Sequence, residues 1–273
     1  MDITINTRQG EMAAVHQRID RLLAGAAALL AMLVLKRHYS LAGAEDLLWI
    51  LAPTARLTAW AGGAQPVWET GVGYADFGRG IVIAPACAGV NFMIMAFGLA
   101  ALCGLGRLRR LASLLVWLVL SLAAAYLAAL GVNTLRIVFS MVLYRADIYS
   151  AWLTPDALHR VAGVWIYLSA LGLFFKGLQP IMNRFADRFD PGRRSFRVIR
   201  SPWLPLGWYL LGTLGVPAAN LMVKAPLPAF GTHCLTVVAA ALMLWGGGLL
   251  LKRLIARTVN RNALNGQDTD RGR

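Results

Sequence analysis

The sequence Ile83-Ala84-Pro85-Ala86-Cys87-Ala88-Gly89-Val90-Asn91-Phe92 places a cysteine just after a proline, where a short polar segment enters a long apolar run. Proline is tolerated in the first turn of a helix because its missing N–H would have no partner there. The pattern predicts that Cys87 lies in the opening turn of a membrane helix, where lipid meets water. The N–H groups and the dipole of a helix start favour an anion, which favours the thiolate.

The composition is that of a membrane protein. The chain has 273 residues, of which 58% are hydrophobic and only 15% are charged, whereas soluble domains carry about 25% charged residues. Several apolar runs approach the roughly 20 residues that a helix needs to cross a bilayer. The net charge of +14 comes from arginines and lysines in short linkers and the tail, as the positive-inside rule predicts, so a nucleic-acid partner is disfavoured.

We therefore predict an all-α, polytopic integral membrane bundle of about seven transmembrane helices. The predicted spans are 22–35, 41–63, 86–105, 111–131, 160–178, 202–219 and 234–251. The apolar piece that follows the fourth span is too short to cross alone, so the segment near 131–150 is either a kinked extension or a re-entrant hairpin. The glycine-rich stretch 64–86 is predicted to be an extramembrane loop in which 80–84 forms a short extended piece.

The charge pattern predicts the domain organisation and the topology. The predicted parts are an extramembrane segment 1–21, a membrane core 22–178, a basic cytoplasmic linker 179–201, a two-helix membrane segment 202–251 and a basic tail 252–273. The basic loop 106–110 marks the inside face. Counting crossings from that loop predicts that Cys87 faces outside, that Lys36-Arg37 lie inside and that the N-terminus is outside.

Three residues of different chemistry fall on that outer face, namely Cys87, Arg136 and His159. A thiolate is a strong nucleophile and needs a base to form it at neutral pH. A histidine can accept the thiol proton and return it to a leaving amine. An arginine suits an oxyanion or a carboxylate, and an arginine within a span is by default functional. The sequence thus predicts a candidate catalytic site at Cys87, Arg136 and His159.

Each residue also has a structural interpretation. A cysteine at a helix end commonly packs as a small hydrophobic residue, as we expect for Cys103 and Cys234, and an interfacial histidine is commonly a polar anchor. Spacing alone leaves the structural and the catalytic interpretations of the site open.

Four further residues are candidates for binding or orienting a substrate. Asn91 lies one helical turn after Cys87, and Asn133 shares a helix face with Arg136, although both asparagines also fit polar contacts between helices. Glu69 and Tyr74 fall on the same predicted outer side, without a specific motif.

At these residues the sequence resembles the exosortase/archaeosortase family of membrane transpeptidases, and most of all the branch called exosortase K. The resemblance covers about residues 36–178. It is carried by Ala84-Pro85-Ala86-Cys87-Ala88-Gly89-Val90-Asn91-Phe92, by Asn133-Thr134-Leu135-Arg136, by His159 with Gly163, and upstream by Leu48-Trp49-Ile50-Leu51-Ala52-Pro53-Thr54-Ala55 and Gly71-Val72-Gly73-Tyr74. The motif reads Cys-Ala-Gly where Cys-Ser-Gly is commoner, as in the exosortase K branch.

The resemblance implies a multi-pass cysteine protease-like enzyme at the outer face of the inner membrane. It implies that Cys87 is the nucleophile, His159 the general acid/base and Arg136 the transition-state stabiliser. The implied partner is the C-terminal tail of an exported protein, which carries a short motif, a transmembrane helix and a basic cluster. The chemistry needs no metal or organic cofactor, and the remaining partner is membrane lipid.

Two other functions remain open from the sequence. In a small-molecule transporter, Arg136 would be an anion site and transport would survive the loss of the Cys87 thiol. In a non-catalytic scaffold of an envelope or polysaccharide assembly system, Cys87 would be unreactive.

Overall fold

The helix Val90–Arg107, labelled α3, lies at the centre of the unit Met1–Gly212. Its residues are apolar around the whole circumference, and 12 of its 18 residues are buried, as expected for a helix that is surrounded by others. The most apolar part of α3 is 72% buried, against 33% and 39% in the next two long helices. Four other helices of that unit pack against α3, and the short helix that precedes the small sheet packs against α4 instead.

The computed structural model describes residues 2–146, 154–190, 201 and 203–215, and beyond them 218, 231, 234–248, 250 and 253. The chain forms two compact units, Met1–Gly212 and Thr213–Arg273. The first unit contains, besides α3, the helices α1 (Asp2–Leu41), α2 (Leu48–Gly62), α4 (Leu111–Arg145), α5 (Pro155–Phe189) and α6 (Leu204–Leu210). The described part of the second unit includes the apolar helix Cys234–Gly248.

The helical membrane fold predicted from the sequence is confirmed. Among the described residues, three helices are long and apolar enough to cross a bilayer, namely Pro85–Arg107, Leu111–Arg145 and Ala157–Phe189. The count of seven spans stays a prediction. Part of the predicted sixth span is present as α6 and the π-helical turn Leu211–Gly215. The first part of the predicted linker continues α5 to Phe189, and residues 191–200 lie outside the described residues.

The fourth helix continues through the segment after residue 131, for which the sequence allowed either a kinked extension or a re-entrant hairpin. α4 is one helix of 35 residues, about 52 Å long at 1.5 Å per residue, against about 30 Å of hydrocarbon. The extension of the fourth helix is therefore correct over 131–146, and the re-entrant hairpin is wrong there. Residues 147–150 lie outside the described residues. The polar residues Asn133, Arg136 and Ser140 do not interrupt α4, and each side chain has a partner on a neighbouring element.

A small sheet fills the loop between α2 and α3. Strands β1 (Val67–Glu69), β2 (Gly73–Asp76) and β3 (Ile81–Ile83) pair antiparallel in that order. Gly73 has a φ of 122°, and a Cβ at this position would collide with the carbonyl oxygen of Ile83, so the backbones approach too closely for a side chain. The extended piece predicted within 80–84 is confirmed as β3, whereas β1 and β2 were not predicted.

Two ends of the bundle can be defined by their residues. The cysteine end carries residues 84–91, and the arginine end carries the loop 107–110 between α3 and α4. The helix α2 has only 15 residues, about 22 Å, and runs in the same direction as α4. Near its start the carbonyl of Trp49 accepts a hydrogen bond from the Tyr126 hydroxyl (2.8 Å). At its end Gly62 packs against Val138 and Met141. α2 therefore runs toward the cysteine end and does not carry the chain across to the arginine end.

The direction of α1 corrects the predicted topology. Asp20 accepts a hydrogen bond from the backbone N–H of Leu111 (3.1 Å) at the arginine end. Lys36 donates to the side-chain oxygen of Asn91 (3.0 Å) at the cysteine end. The prediction that Lys36-Arg37 lie on the face opposite Cys87 is therefore wrong, as is the prediction that the N-terminus lies on the same face as Cys87. The error arose because α2 was counted as a complete crossing.

A buried carboxylate holds the arginine end together. Asp190, which follows α5 and is only 6% exposed, accepts hydrogen bonds from the backbone N–H groups of Arg109 and Arg110. Near it the side chain of Arg107 donates to Asn183 of α5. These bonds tie the end of α5 to the α3–α4 loop, because a buried carboxylate needs donors around it.

Candidate active site

The cysteine lies in a turn of its own rather than in the first turn of α3. Residues Pro85–Cys87 form a 3₁₀ turn in which the N–H of Cys87 donates to the carbonyl of Ala84 (2.8 Å). Gly89 follows with a φ of 74° and caps the start of α3. This left-handed residue, which glycine adopts without strain, separates the turn from the helix. The half-buried side chain of Cys87 therefore lies, as predicted, in the opening turn of the apolar span Pro85–Arg107, and this turn is 3₁₀ rather than α-helical.

Asn133 fastens this turn to α4. Its side-chain nitrogen donates to the backbone carbonyl of Cys87, and the asparagine is only 1% exposed. A Cβ on Gly89 would lie 3.1 Å from the Asn133 Cβ and Cγ atoms, tighter than ordinary packing. Gly89 thus serves both the left-handed backbone and the close approach of Asn133. Asn133, which was predicted only to share a helix face with Arg136, thus contacts the cysteine turn directly.

Tyr167 of α5 continues the network. Its hydroxyl donates to the side-chain oxygen of Asn133 (3.2 Å) and accepts from Nη1 of Arg136 (3.0 Å). The Arg136 guanidinium lies 5.4 Å from the centroid of the Tyr167 ring, within cation–π range. The ring packs against Phe92 of α3, with centroids 5.4 Å apart. One aromatic side chain therefore joins three helices at the site.

Arg136 reaches the histidine with its other nitrogen. Nη2 lies 2.8 Å from Nε2 of His159, and Nδ1 of His159 lies 3.2 Å from the Ser140 hydroxyl. Gly163, one turn after His159, faces the arginine, whose Nε would be in ordinary contact, at 3.7 Å, with a Cβ there. Tyr167 and Asn133 connect this arginine to the backbone carbonyl of Cys87. The structure therefore brings together the three residues predicted to be catalytic.

The histidine is held by the first turns of α5. Thr154 precedes the helix and accepts a hydrogen bond from the N–H of Ala157 (3.2 Å) through its hydroxyl, which satisfies one of the unpaired donors of the helix start. His159 was predicted to open a span that begins at 160. It lies instead on the second turn of α5, where the helix is already regular.

A cavity of about 260 Å³ opens beside these groups at the cysteine end. Its lining combines residues from α1, the cysteine turn, α3, α4 and α5, which are Tyr39, Ala86, Gly89, Asn91, Arg136, His159, Arg160, Gly163 and Tyr167. Two of the described lining residues are arginines and none is acidic. The cavity thus favours an anionic or carbonyl-bearing group over a cation.

The remaining predicted residues divide between the cavity and the sheet. Asn91 lines the cavity and accepts from Lys36. Tyr74 and Glu69 lie in β2 and β1 and are not among the described lining residues. Tyr74 pairs with Ile83, four residues before Cys87, and packs edge-on against Trp68 (centroids 5.2 Å). Tyr74 therefore supports the segment that leads to the cysteine, whereas Glu69 pairs with Gly73, and a substrate contact by either stays a prediction.

The sequence reasoning missed Tyr167 and Ser140. Each shares a helix face with a residue that was predicted to be catalytic, since Ser140 is four residues after Arg136 and Tyr167 is eight residues after His159. This spacing was the available signal. Cys103 is 3% exposed in α3, which confirms it as a small buried residue. Among the described residues no group of three His, Cys, Asp or Glu side chains could hold a metal ion.

A family model decides the identity of the fold. The transmembrane exosortase model matches residues 11–176, which is more than half of the 273 residues. The chain belongs to the transmembrane exosortase family. Comparison with curated proteins and with solved structures gives no match. The expected family is confirmed, and the closer likeness to exosortase K stays a prediction.

Membership gives the site its context. The network from Cys87 to His159 and Tyr167 lies within the matched residues, whereas α6 and the second unit follow them. Exosortases are cysteine-type membrane transpeptidases, so family and fold support a membrane transpeptidase role for this integral membrane protein.

Proposed function

We propose that this exosortase is a cysteine transpeptidase or endopeptidase that cleaves the C-terminal sorting signals of exported proteins at the outer face of the inner membrane. The observation that carries the proposal is the continuous set of hydrogen bonds from the Cys87 carbonyl through Asn133, Tyr167 and Arg136 to His159. A network of this kind holds a nucleophile, a base and a cation at fixed positions, as catalysis requires.

The proposed reaction begins at the Cys87 thiol. The thiol proton passes to His159, and the sulfur attacks the carbonyl carbon of the scissile peptide. The negative charge that develops on the carbonyl oxygen is stabilised by the guanidinium of Arg136, which contacts His159. When the C–N bond breaks, His159 returns the proton to the leaving amine, and the substrate remains on Cys87 as a thioester.

The second half of the reaction releases the acyl group. An amine, a hydroxyl or a water molecule attacks the thioester, gives up a proton, and the sulfur leaves as the thiol. The substrate tail would lie in the membrane beside α3, α4 and α5, and its scissile bond would reach the cavity at the cysteine end. The arginines at the opposite end support an inside location for that end.

Thiol accessibility and reactivity test the proposal. In a Cys103→Ala/Cys234→Ala background, Cys87 should react rapidly with a membrane-impermeant maleimide added to spheroplasts. The rate should fall in both Arg136→Ala and His159→Ala. Labelling from the inside only would overturn the proposed orientation. Labelling from outside at a rate that neither variant changes would reject the activated nucleophile and favour an anion transporter.

A trapped intermediate gives the direct test of the chemistry. Protein isolated from its native membranes should carry an added mass on Cys87 that hydroxylamine removes, because hydroxylamine cleaves thioesters. Cys87→Ala should carry no such adduct. If no adduct appears and every measured activity survives Cys87→Ala, the transpeptidase proposal fails.

A further inference from the structure

The imidazole of His159 is held at both nitrogens by two residues that lie one turn apart on α4. Nη2 of Arg136 lies 2.8 Å from Nε2, and the Ser140 hydroxyl lies 3.2 Å from Nδ1. A guanidinium has only donors and stays protonated in proteins. Nε2 must therefore be the acceptor in this contact, and it carries no proton.

The position of the ring proton follows from that assignment. A neutral imidazole carries one proton, so the proton is on Nδ1 and is donated to the Ser140 hydroxyl. A doubly protonated ring is disfavoured, because a second cation would stand 2.8 Å from the guanidinium. The resting His159 is thus the neutral Nδ1–H tautomer.

We propose that Ser140 is the positioning residue that accepts the Nδ1–H of His159 and so holds the ring in the orientation that turns Nε2, its only basic nitrogen, toward Arg136. The inference rests on the proposed function, in which His159 is the general acid/base. Ser140 fills the place that a carboxylate fills in many catalytic triads, but it brings no negative charge. The histidine is therefore oriented without extra stabilisation of its cationic form.

The arrangement gives Arg136 a second effect on the reaction. In the resting enzyme its Nη2 occupies the lone pair that must accept the thiol proton. When a substrate carbonyl enters and negative charge develops on its oxygen, the guanidinium moves toward that charge, and Nε2 becomes available to the thiol of Cys87. The same nitrogen then gives the proton to the leaving amine, while Nδ1–H stays on Ser140 throughout.

The tautomer can be read without any activity assay. Full-length protein labelled with ¹⁵N in its imidazole nitrogens has four histidines, and His159→Gln identifies the signals of His159. Protonated and unprotonated ring nitrogens have well-separated ¹⁵N shifts. The wild-type protein and Cys87→Ala should both show a protonated Nδ1 and an unprotonated Nε2. A protonated Nε2 at neutral pH, with or without a protonated Nδ1, would overturn the proposal.

Substitutions at Ser140 test its role. Ser140→Ala should add signals of a second ring state with protonated Nε2 and should slow alkylation of Cys87 by about 2- to 10-fold, the effect of one hydrogen bond. Ser140→Thr keeps the hydroxyl and should restore both readouts. Ser113→Ala is the matched control, because Ser113 lies on the same helix 27 residues away, about 40 Å along the axis.

The outcomes separate this inference from the proposed function. If Ser140→Ala leaves both the ¹⁵N signals and the alkylation rate unchanged, Ser140 does not position the ring. If Ser140→Thr behaves like Ser140→Ala, the hydroxyl is not the cause and the proposal is also rejected. If the tautomer is as stated but no thioester forms on Cys87, the proposed function fails while the assignment of Ser140 stands.

Discussion

Replacing Tyr167 with phenylalanine removes one oxygen atom from the centre of the site and leaves the aromatic ring in place. The hydroxyl accepts from Arg136 (3.0 Å) and donates to Asn133 (3.2 Å). The contact of the ring with Phe92, at 5.4 Å between centroids, does not involve that hydroxyl. The substitution therefore breaks two hydrogen bonds while it preserves the packing of α5 on α3.

The size of the effect follows from those two bonds. Hydrogen bonds between membrane helices contribute about 0.6 kcal/mol on average and about 1.7 kcal/mol at most, so the pair contributes about 1 to 3 kcal/mol. Because about 1.4 kcal/mol corresponds to a factor of ten in rate, Cys87 alkylation should slow by about 5-fold, with about 150-fold as the upper limit. The decrease is expected because Asn133 holds the carbonyl of Cys87 and Arg136 contacts His159.

The assay is the second-order rate constant for maleimide alkylation of Cys87, measured in the Cys103→Ala/Cys234→Ala background together with thermal stability. Tyr126→Phe is the matched control, because its hydroxyl donates to the Trp49 carbonyl (2.8 Å) and lies on the same helix seven residues before Asn133, about 10 Å along the axis. The control should lose stability by about 1 kcal/mol and keep the parent rate. If both variants lose stability alike and both keep the parent rate, Tyr167 is only structural and the network argument is refuted.

Three further outcomes are expected. Gly89→Ala should lower thermal stability and slow the alkylation, because it strains a residue with a φ of 74° and crowds Asn133; a variant equal to the parent in both would show that the turn has no such constraint. Asp190→Ala should lower the free energy of unfolding by about 1 to 3 kcal/mol, because two backbone donors lose their acceptor, yet leave the alkylation rate unchanged; a slower rate would show that the two ends are coupled. In a cysteine-free background, Arg37→Cys should react with an impermeant maleimide from the side opposite to Arg109→Cys; reaction from the same side would reject the single crossing of α1.

The catalytic candidates could be predicted because polar residues in apolar helices are conspicuous. Arg136 and Asn133 stand within an apolar stretch, where an unpaired polar group is costly, and Cys87 follows a proline at the edge of another stretch. The helical membrane fold followed from hydropathy in the same way, and the family match supports it. Apolar stretches, and single polar residues within them, can be read directly from a sequence.

The placement of Lys36-Arg37 opposite Cys87 was wrong for a physical reason that a hydropathy profile does not show. A span assignment measures the length and apolarity of a segment but not its direction. The stretch 41–63 was long enough to count as a crossing, yet only the 15 residues of α2 are α-helical, and their two ends contact the same helix, α4, at Trp49 and at Gly62. The three-residue strands were missed for a similar reason, because pairing partners and not local pattern decide such short elements.

Tyr167 and Ser140 show what remained hidden in the site itself. A tyrosine or a serine in a membrane helix is commonplace, and neither has a charge that would demand a partner. Their roles depend on the rotation of α5 against α4, which places the face 159, 163 and 167 opposite the face 133, 136 and 140. Once the arginine and the histidine meet, the remaining polar atoms on both faces need partners in an apolar surrounding. Asn133, Tyr167 and Ser140 supply those partners. The network therefore depends on the contact between Arg136 and His159, whose geometry the sequence alone does not show.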